Sequence, residues 1–168
     1  MEIPTYAGAG LILLSQDALS VLLVCDARSH KWGFPKGHRE TEDASDLHTA
    51  VRECREEIGL EPSSYTVCES PFRLTRGSAS YIFRYALMKE GTHVLTPRHG
   101  EIEHITWAPV ASLLGETCDY AGNKYLRTWI ADLKNETVRR KSVLLYSSLL
   151  RSKPTVESVR PTHVVARA

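Results

Sequence analysis

The sequence predicts a single α/β domain, because strand-like and helix-like patterns alternate along its 168 residues. Two apolar runs, Gly8–Leu14 and Ser20–Cys25, are separated by a polar turn and indicate paired strands. A second pair, Tyr65–Arg76 and Ser80–Lys89, predicts a hairpin in which aromatic residues recur with a period of two. An apolar stripe with helical spacing lies between the two pairs and predicts a helix with one face on the core.

The predicted helix is supported by its apolar stripe and by residues suited to its two ends. The stripe is Leu47, Val51, Cys54 and Ile58. Asp43 can cap the first turn, and Asp46 lies where the helix dipole favours an anion. Gly59 can adopt the left-handed conformation that ends a helix. We therefore predict a helix that starts after Asp43 and ends at Gly59.

The same patterns predict the remaining elements. Loops are predicted at Asp26–Lys31 and Glu90–Gly100, a turn at Pro35–Gly37, a strand at Ile102–Trp107, and helices at Val110–Leu114 and Lys124–Leu133. Ser142–Leu150 fits a strand and a helix equally well. Residues 152–168 hold two prolines, many Ser and Thr, and little periodicity. We therefore expect a domain at residues 1–151 and a peripheral or mobile tail at residues 152–168.

Glu53, Glu56 and Glu57 are the first residues that point to chemistry. At spacings of three and four residues they share one face of a helix, within about 5–6 Å of each other. Three anions so close repel one another, and the last turn of a helix disfavours anions further. A hard divalent cation such as Mg²⁺, which prefers oxygen ligands, would relieve that repulsion. The alternative is a solvated acidic face paired with Arg52 and Arg55.

The segment around these glutamates resembles the Nudix box, whose family pattern is G-x5-E-x7-R-E-U-x-E-E-x-G-U, with U a bulky apolar residue. The residues that match in type and order are Gly37, Arg52, Glu53, Cys54, Glu56, Glu57, Gly59 and Leu60. Fourteen residues separate Gly37 from Arg52, where the pattern has thirteen. The first glutamate of the pattern therefore falls on Asp43 or Ala44, with Glu42 one step away. The sequence leaves open which acid replaces it.

The resemblance covers most of residues 8–107, and it implies an α/β/α sandwich around a mixed sheet. It also implies hydrolysis of a nucleoside diphosphate linked to another group. In that family Glu53, Glu56 and Glu57 would bind Mg²⁺, with Mn²⁺ as the alternative ion. Glu56 and Arg52 would belong to the catalytic set, Arg52 by orienting Glu53 through a charge-assisted hydrogen bond. The carbonyl of Gly37 would add a ligand where a side chain would crowd the site.

Two motifs that flank the box indicate which groups within the family this sequence resembles most. The run WGFPKGH at residues 32–38 is similar to the WxxPKGH of asymmetric diadenosine-tetraphosphate hydrolases, while decapping enzymes carry WGFPKGK. Residues 101–107 show the E-x5-W spacing of both groups, in which the glutamate acts as general base or metal ligand. We assign that role to Glu101, with Glu103 as the alternative if the register shifts by two. An ordinary residue at the strand entry is the competing interpretation.

Five residues are predicted to contact substrate. They are Lys36, His38, Tyr81, Arg73 and Arg76. Lys36 can hold a phosphate as a point charge, and the two arginines, at a predicted strand end, can meet phosphates or simply be solvated. Tyr81 can stack on adenine, although a buried structural tyrosine is the simpler interpretation. Trp32 and Phe34 can pack under the loop or stack on a base, with packing preferred, and Trp107 is assigned to the core.

Charge is unevenly distributed, although the chain as a whole carries a net charge of +1. Residues 134–168 hold eight Lys or Arg against two acids, whereas residues 1–133 hold 13 against 18. A basic C-terminal segment suits a polyanion such as RNA, or a helix whose basic face offsets the acidic body. The preferred substrate is a dinucleoside polyphosphate such as diadenosine tetraphosphate. RNA decapping or 5′-pyrophosphate removal comes second, and a catalytically inactive RNA-binding or scaffold protein third.

Cysteine usage and hydropathy bound the cellular setting. The four cysteines, at positions 25, 54, 68 and 118, show no CxxC and no paired spacing. We therefore expect buried reduced thiols rather than disulfides or a zinc site. The first residues lack a basic leader, and their apolar run is too short for a membrane span. A cytoplasmic protein is expected, with the nucleus as the alternative and no membrane partner.

Overall fold

The computed structural model describes residues 6–76 and 79–138, and within them the chain forms a sheet with helices on both faces. The strands are β1 (Gly8–Leu14), β2 (Ser20–Asp26), β3 (Trp32–Gly33), β4 (Lys36–His38), β5 (Tyr65–Arg76), β6 (Ala79–Met88) and β7 (Ile102–Pro109). The helices are α1 (Asp46–Ile58), α2 (Val110–Leu113) and α3 (Lys124–Val138), with a 3₁₀ turn at Pro62–Ser64.

The sheet is mixed and runs in the order β3-β2-β1-β6-β5, with β4 paired to β1 and β7 paired to β2. Strands β1 and β6 are parallel, and every other named pair is antiparallel. Helix α1 covers one face through Cys54 and Ile58, while α3 covers the other through Leu126 and Trp129. The predicted α/β/α sandwich around a mixed sheet is therefore confirmed.

Strand β1 shows why its sequence is a continuous apolar run. Leu11 and Leu13 contact the core under α1, and Ile12 contacts the core under α3. All seven residues of β1 are buried. A strand with both faces covered has no solvent side to alternate with, so its pattern is apolar throughout.

Helix α1 confirms the predicted element but corrects its start. Ser45, not Asp43, is the N-cap, because its side chain accepts a hydrogen bond from the His48 backbone N–H. The C-terminal prediction is confirmed, since Gly59 has φ of 70° and caps the helix. The buried face is also rotated from the predicted stripe: Thr49 and Ala50 are fully buried, whereas Leu47 and Val51 are half-buried.

The turn predicted at Pro35–Gly37 is wrong, because Lys36–His38 forms strand β4. Its partner is β1, with Gly10 opposite Lys36 and Gly8 opposite His38. A Cβ at Gly10 would collide with the Pro35 carbonyl, so the glycines of β1 permit this close pairing. Two of the expected buried thiols also differ from expectation: Cys68 is half-buried and Cys118 is exposed.

Two predicted segments lie outside the described residues, Ser142–Leu150 and the tail at residues 152–168. The domain boundary at residue 151 therefore stays a prediction. Helix α3 extends beyond the predicted end at Leu133 to Val138. Among the helices of the described residues, none combines the length and the apolar character needed to cross a membrane.

Candidate active site

Arg52, in the middle of α1, is the centre of a charged network. Its Nε and Nη2 donate to the two carboxylate oxygens of Asp43 at 3.1 and 2.8 Å. Its Nη1 donates to Glu53 Oε1 at 2.8 Å, and its Nη2 also donates to the His38 carbonyl at 2.9 Å. Bidentate, charge-assisted bonds of this kind fix orientation as well as charge. Arg52 therefore joins the loop before α1, strand β4 and the first predicted metal ligand.

Asp43 is the acid of the loop before α1 that binds Arg52. The sequence had left open which residue of this loop is used. Asp43 is 8% exposed, and besides Arg52 it accepts hydrogen bonds from the Glu40 backbone N–H and the Thr49 hydroxyl. The hydrogen bonds from Arg52 hold the pKa of Asp43 far below its usual range. Glu42 and Ala44 are exposed. Of the three candidate positions, Asp43 is therefore the buried one that binds Arg52.

Gly37 and Glu53 are in close contact. The Glu53 side chain is 13% exposed, and a Cβ at position 37 would collide with its carboxylate. Burial raises the pKa of Glu53, while the hydrogen bond from Arg52 opposes that rise. The structure therefore gives a steric reason for glycine at this position, and it brings the Gly37 backbone against one of the predicted metal ligands.

Glu57 is the acid of the site whose pKa is raised most. Its Oε2 accepts a hydrogen bond from the Lys36 backbone N–H at 3.1 Å. Burial raises its pKa to about 7, and the nearby charges of Glu53 and Glu101 add to that rise. A half-buried carboxylate whose pKa lies near neutral pH is a candidate functional group.

Arg98 lies between Glu56 and Glu101 and contacts both. The sequence did not identify Arg98 as a residue of the site. Nη1 of Arg98 lies 3.6 Å from Glu56 Oε2 and 3.5 Å from Glu101 Oε2. The backbone N–H of Arg98 donates to the Glu57 carbonyl, which ties its loop to α1. Glu101 therefore lies beside the end of α1, and its assignment as general base stays a prediction.

The alternative base, Glu103, is engaged elsewhere. Its Oε2 lies 2.8 Å from His30 Nδ1, and its Oε1 lies 3.7 Å from His104 Nε2. A bulge at the start of β7 separates the two acids, because Asp26 pairs with Ile102 and Cys25 pairs with His104. The geometry favours Glu101 over Glu103 as the residue that faces the box.

Lys36, His38 and Tyr81, three of the predicted substrate contacts, meet on the opposite side of Gly37. The Lys36 ammonium lies 5.9 Å from the Tyr81 ring centroid and 5.4 Å from that of Tyr125, and the His38 ring packs edge-on to Tyr81. Two members of this cluster were not predicted from the sequence: Tyr125, whose ring lies 4.9 Å from Tyr81, and Lys124, 4.8 Å above Tyr125. The helix predicted at Lys124–Leu133 contains both residues, but no local pattern assigned either of them to the site.

Arg73, another predicted contact, lies away from this cluster. Arg73 is opposite Ile82 in the β5–β6 register, so it lies on the face of the sheet that Tyr81 does not occupy. Its guanidinium donates to the Ser80 hydroxyl at 3.4 Å. The side chain of Arg76 lies outside the described part of the structure. Packing roles are confirmed for Phe34, which is 1% exposed, and Trp107, which is half-buried against the core under α1.

The donor set fits a hard divalent cation, although it is not gathered around a metal position. Among the described residues, no group of three His, Cys, Asp or Glu side chains is arranged to hold a metal ion. Glu53 and Glu56 instead contact Arg52, and Glu56 also contacts Arg98. Carboxylate oxygens beside a carbonyl are nevertheless the donors that Mg²⁺ prefers, and buried anions with raised pKa values gain from a cation.

The fold and the box geometry agree with comparisons to known proteins. Residues 4–130 match the family described as the NUDIX domain, which is more than half of the chain. The chain therefore belongs to the Nudix family, and the resemblance read from residues 37–60 is confirmed.

Two curated relatives and one solved structure show the range of similarity. The m7GpppN-mRNA hydrolase of Saccharomyces cerevisiae is 28% identical over 100 residues, covering 58% of this chain and 10% of that protein. The asymmetrical bis(5′-nucleosyl)-tetraphosphatase of Mus musculus is 45% identical over 49 residues, covering 29% of this chain and 33% of that protein. A C. elegans Ap4A hydrolase binary complex superposes with a TM-score of 0.61 at 20% identity, covering 83% and 98% of the two chains.

These matches differ in what they establish. The chain spans between a tenth and about a third of the length of the two curated relatives. The structural neighbour, at 20% identity, supports the fold alone.

Proposed function

We propose that this protein hydrolyses a phosphoanhydride bond in a dinucleoside polyphosphate, such as diadenosine tetraphosphate, with Mg²⁺ as cofactor and Mn²⁺ as a substitute. The observation that carries the proposal is the position of Glu57, half-buried beside Glu53 with a pKa raised to about 7. Two anions in that position repel each other unless a cation joins them. A hydrolase that binds phosphate chains through a divalent ion would use such a site.

Each side chain of the site has a task in this proposal. Glu53, Glu56, Glu57 and the Gly37 carbonyl would hold the cation, which supplies charge neutralisation for the phosphates and acidifies a bound water. Glu101 would accept the proton of the attacking water; a base of this kind contributes about 10²–10⁴-fold. Arg52, held by Asp43 at 2.8 Å, keeps Glu53 in place.

The ammonium groups beside the box would bind the substrate's phosphates. The ammonium groups of Lys36 and Lys124 both lie over the Tyr125 ring, 5.4 and 4.8 Å from its centroid. Each is a compact point charge suited to a phosphate chain. The exposed His38 ring, which packs on Tyr81, supplies a surface on which a nucleoside base can stack. This combination favours a nucleoside polyphosphate over inorganic polyphosphate.

A panel of nucleotides tests the proposal directly. The full chain would be incubated with Mg²⁺ and diadenosine tetraphosphate, nucleoside triphosphates, or capped RNA, and the products separated by chromatography. We expect the highest kcat/KM for diadenosine tetraphosphate, loss of turnover in EDTA, and loss of turnover in Glu101→Gln. Glu103→Gln is the matched control, since Glu103 contacts His30 and His104 instead of the box. No hydrolysis of any substrate by a folded, metal-loaded protein would support the inactive scaffold.

Removal of the cap from RNA is the second candidate. The similarity to the yeast m7GpppN-mRNA hydrolase over 100 residues favours it. The basic segment at residues 134–168, most of which lies outside the described residues, would then bind the RNA backbone. Deletion of residues 152–168 should weaken RNA binding and flatten its salt dependence while small-nucleotide hydrolysis is unchanged. Equal RNA binding by the truncated and full chains would remove this role for the tail.

A further inference from the structure

The start of α3 carries Lys124, a proposed phosphate contact, and Tyr125, the ring beneath it. The Lys124 ammonium lies 4.8 Å from the centroid of the Tyr125 ring, and that ring lies 4.9 Å from the ring of Tyr81 on β6. Lys124 is exposed, whereas Tyr125 is buried. Because the two residues are consecutive in the first turn of one helix, a shift of the N-terminus of α3 moves both side chains together.

Asn123 is the N-cap of α3. Its side-chain Oδ1 accepts hydrogen bonds from the backbone N–H groups of Tyr125 at 3.1 Å and of Leu126 at 3.0 Å. Its own carbonyl accepts a helical hydrogen bond from the Arg127 N–H at 3.0 Å. Asparagine is among the residues most favoured at this position, because its amide oxygen satisfies N–H groups that have no partner within the helix. The side chain of Asn123 therefore defines where α3 starts.

Asn123 also docks the helix on β3. Its backbone N–H donates to the Trp32 carbonyl at 2.7 Å, and the Trp32 N–H donates to the Ala121 carbonyl at 2.9 Å. These bonds form an isolated parallel bridge between Trp32 and Gly122. The Asn123 amide lies against the buried Gly33, where an added Cβ would collide with the amide nitrogen. Glycine at position 33 therefore lets Asn123 approach the strand.

Strand β3 leads directly to the second lysine of the cluster, since two residues separate Gly33 from Lys36 on β4. The ammonium groups of Lys36 and Lys124 both lie over the Tyr125 ring. The contact of Gly33 with Asn123 therefore joins the strand that leads to one lysine to the helix that carries the other. A phosphate chain that contacts two point charges is sensitive to their separation, and a misplacement of about 1 Å can cost on the order of 100-fold.

We infer that Asn123 is a positioning residue for the substrate. Through its cap and its contact with Gly33, it holds the start of α3 at the distance from Lys36 that a nucleoside polyphosphate requires. This inference rests on the proposed function, because it assumes that the lysines of the cluster contact the substrate. The three glutamates predicted to bind metal are on α1, whereas Asn123 contacts β3 and α3. Its substitution should therefore change substrate affinity rather than the chemical step.

Substitutions at Asn123 test this role by steady-state kinetics. Asn123→Ala removes the cap and the amide, so KM for diadenosine tetraphosphate should rise about tenfold with kcat nearly unchanged, since a hydrogen bond to a charged group contributes on that order. Asn123→Ser keeps an oxygen that can cap α3 and should stay within about twofold of the unmodified chain. Asn135→Ala, at an exposed asparagine further along α3, is the matched control.

Thermal unfolding checks that each variant is folded at the assay temperature. A residue that only stabilises the helix would lower the unfolding temperature on substitution and leave KM where it is. An unchanged KM in folded Asn123→Ala would therefore overturn the inference.

Gly33→Ala tests the contact from its other side. The added methyl group displaces the Asn123 amide, so KM should rise as it does in Asn123→Ala. The double variant Gly33→Ala/Asn123→Ser should recover part of the lost affinity, because serine lacks the amide nitrogen with which the methyl group collides. A normal KM in Gly33→Ala, or a double variant at least as impaired as Gly33→Ala, would show that this contact does not position α3.

A double-mutant cycle shows whether Asn123 acts through Lys124. The Kd of diadenosine tetraphosphate would be measured in EDTA by isothermal titration for Asn123→Ala, Lys124→Met and their combination. If the cap acts through the lysine, the combined loss of affinity should be well below the product of the two single fold-changes. A combined loss equal to that product would give Asn123 a role independent of Lys124 and would overturn the inference.

Binding and turnover together distinguish this inference from the proposed function. Absence of hydrolysis, with weaker nucleotide binding in Asn123→Ala and normal binding in Asn123→Ser, would refute the proposed function and leave the positioning role in place. Hydrolysis with the same KM in Asn123→Ala and in the unmodified chain would refute the positioning role alone. A folded chain that binds no diadenosine tetraphosphate would refute both.

Discussion

Two carboxylates of the site, Asp43 and Glu57, lie in opposite electrostatic environments. At Asp43 every close contact compensates the charge: Arg52 binds both oxygens, and Glu40 and Thr49 add hydrogen bonds. At Glu57 compensation is incomplete, since burial and neighbouring anions outweigh the Lys36 N–H and ammonium. The pKa of Asp43 is accordingly lowered and that of Glu57 is raised. The comparison separates a residue that builds the site from one that remains available for a ligand.

The largest expected effect is a loss of turnover on substitution of Glu57, whose negative charge is incompletely compensated. Glu57→Gln removes an anion from the cation site, so kcat should fall on the order of 10³-fold. The fold should be retained, because the Lys36 N–H can donate to the amide oxygen instead. Steady-state kinetics with excess Mg²⁺, together with circular dichroism, measure both. A fully active variant would show that Glu57 does not hold the cofactor.

Substitution of Asp43, whose charge is compensated by its contacts, should instead lower the free energy of unfolding. Asp43→Ala leaves Arg52 without its bidentate partner, and removing one member of a buried ion pair costs about 3–5 kcal/mol of unfolding free energy. Because Arg52 is only partly buried, with 21% of its side chain exposed, the lower end of that range is expected. Urea denaturation measures the change. Glu42→Ala, at an exposed neighbour, is the control and should stay within about 0.5 kcal/mol.

A pH titration sharpens the comparison further. The folded pKa of Glu57 lies near 7, above its ordinary value of 4.5, so the folded chain binds this proton more tightly than the unfolded chain. Stability from this group is therefore complete below pH 4.5 and is lost as the pH rises through 7. In EDTA, unfolding free energy should fall between pH 5 and pH 8, and Glu57→Gln should remove that slope. An identical slope in the variant would assign it to another group.

The same proton should control the binding of metal. Because the carboxylate must lose its proton to bind Mg²⁺, affinity should rise up to tenfold per pH unit below pH 7 and level off above it. Isothermal titration at pH 6 and pH 8 measures this rise. Affinity that is independent of pH over that range would place the metal away from Glu57.

The smallest effect is expected at Arg98, whose contacts with Glu56 and Glu101 are exposed and long, at 3.6 and 3.5 Å. Exposed pairs contribute at most about 1 kcal/mol, so Arg98→Ala should change stability little. Removing a competing cation should strengthen Mg²⁺ binding by a few-fold, measured by the same titration. Arg55→Ala, which breaks the exposed pair with Glu61 instead, is the matched control. Weaker metal binding in Arg98→Ala would show that Arg98 supports the site.

Local patterns predicted most of the fold and the charged part of the site. The strands, the box helix and its Gly59 cap follow from period, propensity and turn residues, which act over a few positions. Strand β4 was missed because its formation depends on Gly8 and Gly10, almost thirty residues earlier, which allow Lys36–His38 to pair there. No local signal in Pro35–Gly37 reports such a distant partner.

The sequence alone determined which acids this protein carries and that three of them share one face of a helix, because helical spacing is a local property. Tertiary structure decided which acid binds Arg52, whether Glu101 or Glu103 faces the box, and that Tyr125, Lys124 and Arg98 join the site. Those choices depend on the loop before α1, a bulge in β7 and the docking of α3. Each of these contacts joins residues that are far apart in the chain, and only packing of the whole domain fixes the distances between them.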